Sequence, residues 1–535
     1  MTASKLALLL SAIAAAATAA PAQEPSFEAS RFRSHVEFLA SDLMEGRDAG
    51  SRGFDLAASY VATRFLALGL APAGADGSWY QTVPFVEARP AAPARVRVGE
   101  QSFDPARQVA IGASTLAPTQ ELTAPAVFVG YGLDAPGAGF NDYQGLDVRG
   151  KYVVVLSGFP KGTPSEIGAH LSSMKAKAAE ARGALGIITV RTPSEDKRRP
   201  FERLVDWAKD PAIAWVGPDG APYSLAPGIR IAATFDRAPA EALFAGARRP
   251  LADVLAEAEK EGGRPRGFPL TQTVSIARES TMRRFTSPNV LAVLPGSDPA
   301  LKDEYVLLMA HLDHEAVEPT REGDQIYNGA MDNASGVATM LEVARAMAES
   351  GERPKRSILF AAVTAEEDGL LGAEYLAKHP VTGAGKVVGV VNLDMPVLLY
   401  DFTDVIAFGA NHSTLGEAVR RAGAQMNIAL SPDPLPQEGL FTRSDHYKFV
   451  REGVPSVFLM TGFANGGEKQ FTDFLANHYH KVSDETKLPF DWSAGAKFAK
   501  INYLIAREIA NAPAAPAWNA DSFFNPANSG AKKRP

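Results

Sequence analysis

The 535-residue chain contains no cysteine. That excludes a disulfide framework, a zinc site with sulphur ligands, a thiol nucleophile and a lipid-anchored N-terminal cysteine. Any metal must be held by imidazole and carboxylate, and histidine is itself scarce, at 9 residues. Positive charge is also short. Lysine and arginine number 54 against 61 acidic residues, a net charge of −7, so the basic footprint of a nucleic-acid protein is missing and nucleic acid is not an expected partner. Beyond the N-terminus no apolar run approaches the roughly 20 residues of a membrane span. What is present is ordinary globular composition, 46% hydrophobic and 21% charged, which excludes a disordered chain. At about 150 residues per domain the length calls for more than one core.

Met1 to Ala22 carries one positive charge, Lys5, then an apolar run from Leu6 to Ala20 and the small residues Ala20-Pro21-Ala22. This reads as a cleaved secretory signal (1–22), shorter than a membrane anchor. The mature protein is expected to be exported, periplasmic or extracellular, with no membrane span after cleavage.

Residues 26–85 read as helix, turn, helix and an extended segment. Phe32, Val36, Leu39 and Leu43 recur at helical spacing, and Ala57, Ala58, Val61, Phe65 and Leu68 form a second stripe. From about Ala110 the texture changes. Val127–Val129, Tyr152–Leu156 and Gly186–Val190 read as strands, Lys175–Arg182 as a helix, and Pro239–Glu261 as one long helix stopped by Gly262-Gly263. From Pro288 onwards strands and helices alternate. Val290–Leu294, Tyr305–Met309, Ser357–Val363, Val387–Leu393 and Ser456–Met460 are short apolar runs, with the amphipathic helix Ser335–Glu349 among them. The pattern predicts an α/β fold with a mixed, mostly parallel central sheet flanked by helices on both faces. The Pro-, Ala- and Asn-rich segment 512–535 is expected to be a flexible tail.

Polar residues follow several of these strands directly: His311-Leu312-Asp313-His314, Glu366-Glu367 and Asp394. The carboxyl ends of strands are where open α/β sheets bind ligands. Asn328 to Gly336 forms a loop opening a helix, and Ser444-Asp445-His446 and His478 to Asp484 come later. Taken singly, each has a plain explanation. Asp332 or Asn333 could cap the following helix, Glu366 and Glu367 could be acids favoured in a first turn, and Asp394 could be a turn residue. Those explanations do not account for acids and histidines gathering at the ends of separate strands, a combination that suits borderline cations. His35, His170 and His412 read as surface residues, His379 as a last-turn cation, and His314, His446 and His478 as pocket wall or surface.

The set Ala310-His311-Leu312-Asp313, Asn328 to Gly336, Glu366 to Gly372, Asn392-Leu393-Asp394-Met395 and Tyr479-His480 with Asp484 resembles the M28 family of zinc peptidases in order and interval. Leu39-Ala40-Ser41-Asp42, Glu45-Gly46-Arg47, Gly50-Ser51 and Gly77 to Gln81 look like the N-terminal part of such exported peptidases. Phe128 to Gly132, Asn141-Asp142-Tyr143 and Asp147 to Lys151 resemble a protease-associated (PA) domain. The resemblance implies a zinc-exopeptidase-like fold divided into an N-terminal part of the peptidase domain (26–114), an inserted β-rich PA-like domain (115–270) and the catalytic domain (271–511).

It further implies two zinc ions as cofactors, one held by His311 and Asp394, the other by Glu367 and His480, with Asp332 bridging. Glu366 would be the general base. Asp313 and Asp484 would orient the imidazoles of His311 and His480. The implied activity is that of an exported aminopeptidase acting on peptide substrates. Carboxypeptidases or dipeptidases share the fold, and a glutaminyl cyclase or an inactive binding protein fits less well, because the ligand set and the base are complete. Some relatives carry a tyrosine near the Ser-Asp-His motif to support the oxyanion. Here the nearest upstream aromatic is Phe441, and Tyr447 is a substitute. Pro396 also departs from a more usual glycine-containing turn. Phe402, Phe408 and Phe441 are possible pocket walls, or ordinary core.

Overall fold

The structure, a computed structural model, describes residues 24–528. The expected signal segment and residues 529–535 of the expected tail lie outside the described residues. Helices α1 (Ala29–Leu39) and α2 (Arg52–Ala67) bury their predicted stripes, Phe32, Val36 and Leu39 on α1 and Ala57, Val61 and Phe65 on α2. The Ser51 hydroxyl caps α2 by accepting the Phe54 N–H. Leu43 instead falls in a turn and is exposed.

A strand β1 (Tyr80–Val98) follows. The second lobe then begins with β2 (Thr119–Phe128), β3 (Tyr152–Leu156), α3 (Ser165–Ser173), β4 (Gly186–Val190) and β5 (Ile231–Phe235). β2 to β5 are mutually parallel. Short helices flank them, so the lobe is itself mixed α/β rather than dominated by strands. The single helix expected over 239–261 is two, Arg237–Leu243 and Leu251–Ala258. Gly246 turns with φ 72° between them, and Pro250, which suits a helix start, precedes the second.

β6 (Phe268–Leu294) runs for 27 residues. It pairs with β2 in the second lobe, with β1 along most of its length, and with the later strand Ser357–Val363 in the C-terminal half. The C-terminal half then adds β7 (Glu304–His311), α4 (Ser335–Glu349), β8 (Ser357–Val363), α5 (Leu371–Lys378), β9 (Lys386–Leu393), β10 (Asp404–Phe408), α6 (Leu415–Ala424), β11 (Ala429–Ser431), α7 (His446–Arg451), β12 (Ser456–Thr461), α8 (Gly467–Asn477) and α9 (Trp492–Asn511). The strand order is β11-β10-β12-β9-β7-β8-β6. β8, β7, β9 and β12 are parallel, while β10 and β6 run antiparallel to their inner neighbours. Every residue of β8 is buried, as a strand covered on both faces requires. One hydrophobic core surrounds α4 and α9, and a separate one fills the second lobe. Among the described residues no helix is long and apolar enough to cross a membrane.

Residues 512–528 do not form a loose tail. The Trp518 indole donates to the Gly453 carbonyl at 2.8 Å, and Phe524 is buried. Its aromatic residues anchor a segment whose Pro and Ala content alone reads as disordered.

Candidate metal centre

His311 is the last residue of β7 and is buried. Its Nδ1 lies 3.1 Å from the Asp313 backbone carbonyl, to which the ring N–H donates, leaving Nε2 free to ligate. Nε2 stands 3.2 Å from Asp332 Oδ1 and 3.3 Å from Asp394 Oδ1. On the other side, His480 Nε2 is 3.3 Å from Asp332 Oδ2 and 3.1 Å from Glu367 Oε2. Asp332 thus offers one oxygen to each imidazole. The sequence-selected residues His311, Asp332, Glu367, Asp394 and His480 are brought together, and Glu366 stands with His311 and Asp394.

The chain places these groups by simple means. β7, β8 and β9 are parallel neighbours, so His311, Glu366-Glu367 and Asp394 emerge at one sheet edge. Asp332 lies in the loop before α4. The Asn333 side chain, not Asp332, makes the cap there. Its Oδ1 accepts the Gly336 N–H at 3.0 Å and the Met395 N–H at 3.2 Å, and its Nδ2 donates to the Leu393 carbonyl at 3.0 Å. Asn333 therefore ties the Asp332 loop to the end of β9. The Ser444 hydroxyl donates to Asp394 Oδ2 at 2.6 Å and accepts from Asn392.

Two supporting roles differ from expectation. The Asp313 carboxylate does not orient His311; its Oδ2 accepts the Glu367 backbone N–H at 3.1 Å, and only its carbonyl touches the imidazole. The Asp484 carboxylate does not reach His480. It accepts the backbone N–H groups of Met331 and Asp332 at 2.8 and 2.9 Å and so holds the Asp332 loop. The carboxylate beside His480 Nδ1 is Glu315, at 3.0 Å. Sequence reasoning missed it, although it directly follows the His311–His314 motif.

Other expectations fall differently too. His314 is buried behind the site, its Nδ1 2.8 Å from Glu367 Oε1. His446 is buried against Phe441 and Phe458. His35, His170 and His412 are half-buried and paired with Tyr60, Tyr447 and Glu166. Tyr447 turns its hydroxyl to His170 and Ser173, away from the site. Phe402, Phe408 and Phe441 are core. The walls of the cavity above the ligands, about 170 Å³, are Phe458, Met460, Phe471, Leu475 and Leu440, with Tyr479 beside the imidazole of His480.

The electrostatics call for cations. Asp332, Glu366, Glu367, Asp394, Asp313, Asp445 and Asp484 are packed together with Arg47 and the imidazoles as counter-charge. Burial pushes Glu366 well above the usual carboxylate range, and Glu367, Asp445 and Asp394 add repulsion. Burial likewise lifts Asp313 and Asp484 to about 6. Burial would raise Asp332 as well, but hydrogen bonds from His311 and His480 hold it well below its ordinary value. Oxygen and imidazole donors without sulphur, with one carboxylate facing two ligand imidazoles, fit borderline dications such as zinc.

The family model of peptidase family M28 matches residues 289–506. Residues 289–506 are a peptidase family M28 domain. Every residue of the candidate metal centre lies inside this M28 domain, whereas Arg47 and the second lobe lie outside it. A probable zinc metalloprotease of Pyricularia oryzae is 31% identical over 264 residues, 42% of this chain and 50% of that protein. Leupeptin-inactivating enzyme 1 of Streptomyces exfoliatus is 28% identical over 197 residues, 34% of this chain and 39% of that one. The chain thus matches half or less of the length of these curated relatives. The solved aminopeptidase from Aneurinibacillus sp. strain AM-1 has the same fold over 91% of this chain and 95% of its own, with a TM-score of 0.50 and 19% identity.

Proposed function

We propose that the protein is an exported zinc-dependent aminopeptidase with two metal positions. The observation that carries this reading is the Asp332 carboxylate, which faces His311 with one oxygen and His480 with the other beside the buried Glu366. His311 and Asp394 would hold one zinc, Glu367 and His480 the second, with Asp332 between them. Bound zinc would supply Lewis acidity toward a carbonyl oxygen and lower the pKa of a water molecule.

The chain's own residues do the rest. Glu366 is the general base: its raised proton affinity suits a group that takes a proton from water and delivers it to the leaving amine. The Tyr479 phenol lines the cavity beside His480 and is the candidate donor to the developing oxyanion, in place of Phe441 or Tyr447. Phe458, Met460, Phe471 and Leu475 form an apolar wall suited to an apolar terminal side chain.

The aminopeptidase direction is proposed from the solved aminopeptidase of the same fold. Asp332, Glu366, Glu367 and Asp394 in the cavity lining are taken by the metals and the base, and Glu438, the remaining acid there, faces Arg443. Arg443, the group on which a carboxypeptidase would rely to bind a terminal carboxylate, stands 3.8 Å from Glu438. Residues 115–270 are proposed to be a PA-like unit, with 26–114 and 271–511 as the peptidase body. Export rests on the character of residues 1–22.

One peptide supplied free, N-acetylated and C-amidated, with and without a chelator, tests the reading by product mass. Trimming of the free and amidated forms only, abolished by chelator, is expected. Cleavage of the acetylated but not the amidated form would reverse the direction and make Arg443 the recognition group.

A further inference from the structure

The wall of the substrate cavity is partly a loop, and that loop leans on the second lobe. Leu435, Glu438, Leu440 and Arg443 line the cavity from a segment built of two short turns, Pro436–Glu438 and Leu440–Thr442. Turns this short have little cohesion of their own. Helix α3 of the second lobe packs against both. At Gly439, between the turns, φ is 60°, and an added Cβ would stand 3.4 Å from the Ala169 side chain. The backbone of the loop therefore runs close over α3.

Side chains fasten this contact on both flanks. Glu166 Oε2 on α3 lies 2.7 Å from His412 Nε2 in the catalytic half. His170 Nδ1 on α3 lies 2.8 Å from the Tyr447 hydroxyl, which is also 3.2 Å from Ser173 Oγ. The C-terminal segment fills the gap behind: the Phe524 ring sits 5.5 Å from His170, 4.8 Å from His412 and 5.1 Å from Phe441, centroid to centroid. Phe441 is fully buried next to Leu440, which reaches the cavity.

We propose that α3 and the C-terminal segment are the positioning elements of the substrate-cavity wall, holding residues 435–443 against the metal centre through the Glu166–His412 and His170–Tyr447 pairs. The second lobe then acts in terminal-residue recognition without touching the reacting atoms. This rests on the aminopeptidase reading for its kinetic consequence, but not for its structural one.

The test uses the full mature chain with Glu166→Ala, Tyr447→Phe and the double variant, and reads two quantities. Amide hydrogen exchange of 435–443 is expected to rise at least tenfold in the double variant, with α4 unchanged. With leucyl-p-nitroanilide, KM is expected to rise about fivefold to tenfold while kcat stays within twofold, since the wall binds the side chain without entering the chemistry. Exchange and KM both unchanged in the double variant would overturn the proposal. A fall in kcat at constant KM would also overturn it, because the pairs would then be acting through Ser444 on Asp394. If the native protein cleaves no peptide, the aminopeptidase reading fails and the exchange measurement alone decides the positioning claim.

Discussion

Arg47 lies outside the M28 domain, yet its guanidinium is buried at the back of the metal centre, 1% exposed. It donates to the backbone carbonyls of Leu39, Leu312, Asn328 and Gly329. Leu312 follows His311, and Asn328-Gly329 precede Asp332, so one side chain pins both ligand-bearing segments to the N-terminal helix. Its charge also faces Asp484, Asp313, Asp332 and Glu367; burial lowers its pKa to about 10 and these acids oppose that, so it stays protonated. Arg47→Met keeps the stem and removes every donor. Each buried carbonyl left unpaired costs about 1–3 kcal/mol. The Gly329 carbonyl keeps the Ala334 N–H, so three carbonyls are left unpaired and the sum at the low end is about 3 kcal/mol, a large share of the roughly 5–15 kcal/mol of a typical domain. Arg47→Lys keeps the charge and reaches fewer of the carbonyls, so an intermediate loss is expected. Urea unfolding followed by tryptophan fluorescence, with zinc content measured on the folded fraction, reads both effects. A loss below about 1 kcal/mol for Arg47→Met would show that water or relaxation satisfies these carbonyls and would refute the clamp.

Glu366→Gln is expected to retain zinc and lose about 10²–10⁴-fold in rate; a variant within tenfold of native would remove Glu366 as the base. Asp484→Asn turns one of two acceptors toward the Met331 and Asp332 N–H groups into a donor, so zinc affinity by chelator competition should fall about 10–100-fold. An unchanged affinity would mean that the loop does not depend on this clamp. The metal-free protein should lose stability as pH rises above about 6. His311 and His480 are raised by their carboxylate partners against the opposing effect of burial, so their contribution is full below the ordinary histidine pKa and is lost through the higher folded values. Asp313 and Asp484, lifted by burial to about 6, become buried charges lower, as pH rises from the ordinary carboxylate range to about 6, and add no further slope above it. Zinc competes with these protons, so its stabilisation should grow with pH; melting temperatures of chelated and zinc-loaded protein between pH 6 and 9 check the opposite slopes.

The residues legible from sequence are those whose identity and position along the strand suffice. His311, Glu367 and Asp394 follow three apolar runs, and once those runs pair in parallel their ends coincide. Asn333 as a cap is also readable, from local spacing alone. What is not legible depends on partners brought from elsewhere in the chain. β6 reads as five residues because its upstream part pairs with β1 beyond the main core and alternates with exposed Arg, Glu and Thr, leaving no continuous apolar run. Phe402, Phe408 and Phe441 give the same signal whether they face a cavity or a core, and partners from elsewhere decide for the core: α9 at Phe402, Phe458 of β12 at Phe408 and the C-terminal segment at Phe441.

The supporting acids carry the sharper lesson. Spacing places Asp313 two residues from His311 and Asp484 four from His480, which suggests a carboxylate on each imidazole. Both carboxylates instead accept backbone N–H groups of the segments bearing Glu367 and Asp332. Nothing local encodes this, because every residue except proline offers a backbone N–H. At the Asp332 loop Arg47 adds the opposite polarity, donating to the Asn328 and Gly329 carbonyls while Asp484 accepts the Met331 and Asp332 N–H groups. Arg47 also takes the Leu312 carbonyl after His311, whereas the Glu367 segment is held through its N–H by Asp313. Orientation of the ligands therefore comes chiefly from the backbone, with the imidazoles served by the Asp313 carbonyl and by Glu315. A corollary separates this from direct imidazole orientation. Glu315→Gln, at a partly exposed group, should weaken zinc binding less than Asp484→Asn, because it leaves the backbone clamps intact. The reverse order by chelator competition would mean that the contact between Glu315 and the His480 imidazole, and not the backbone clamp, governs how tightly zinc is held.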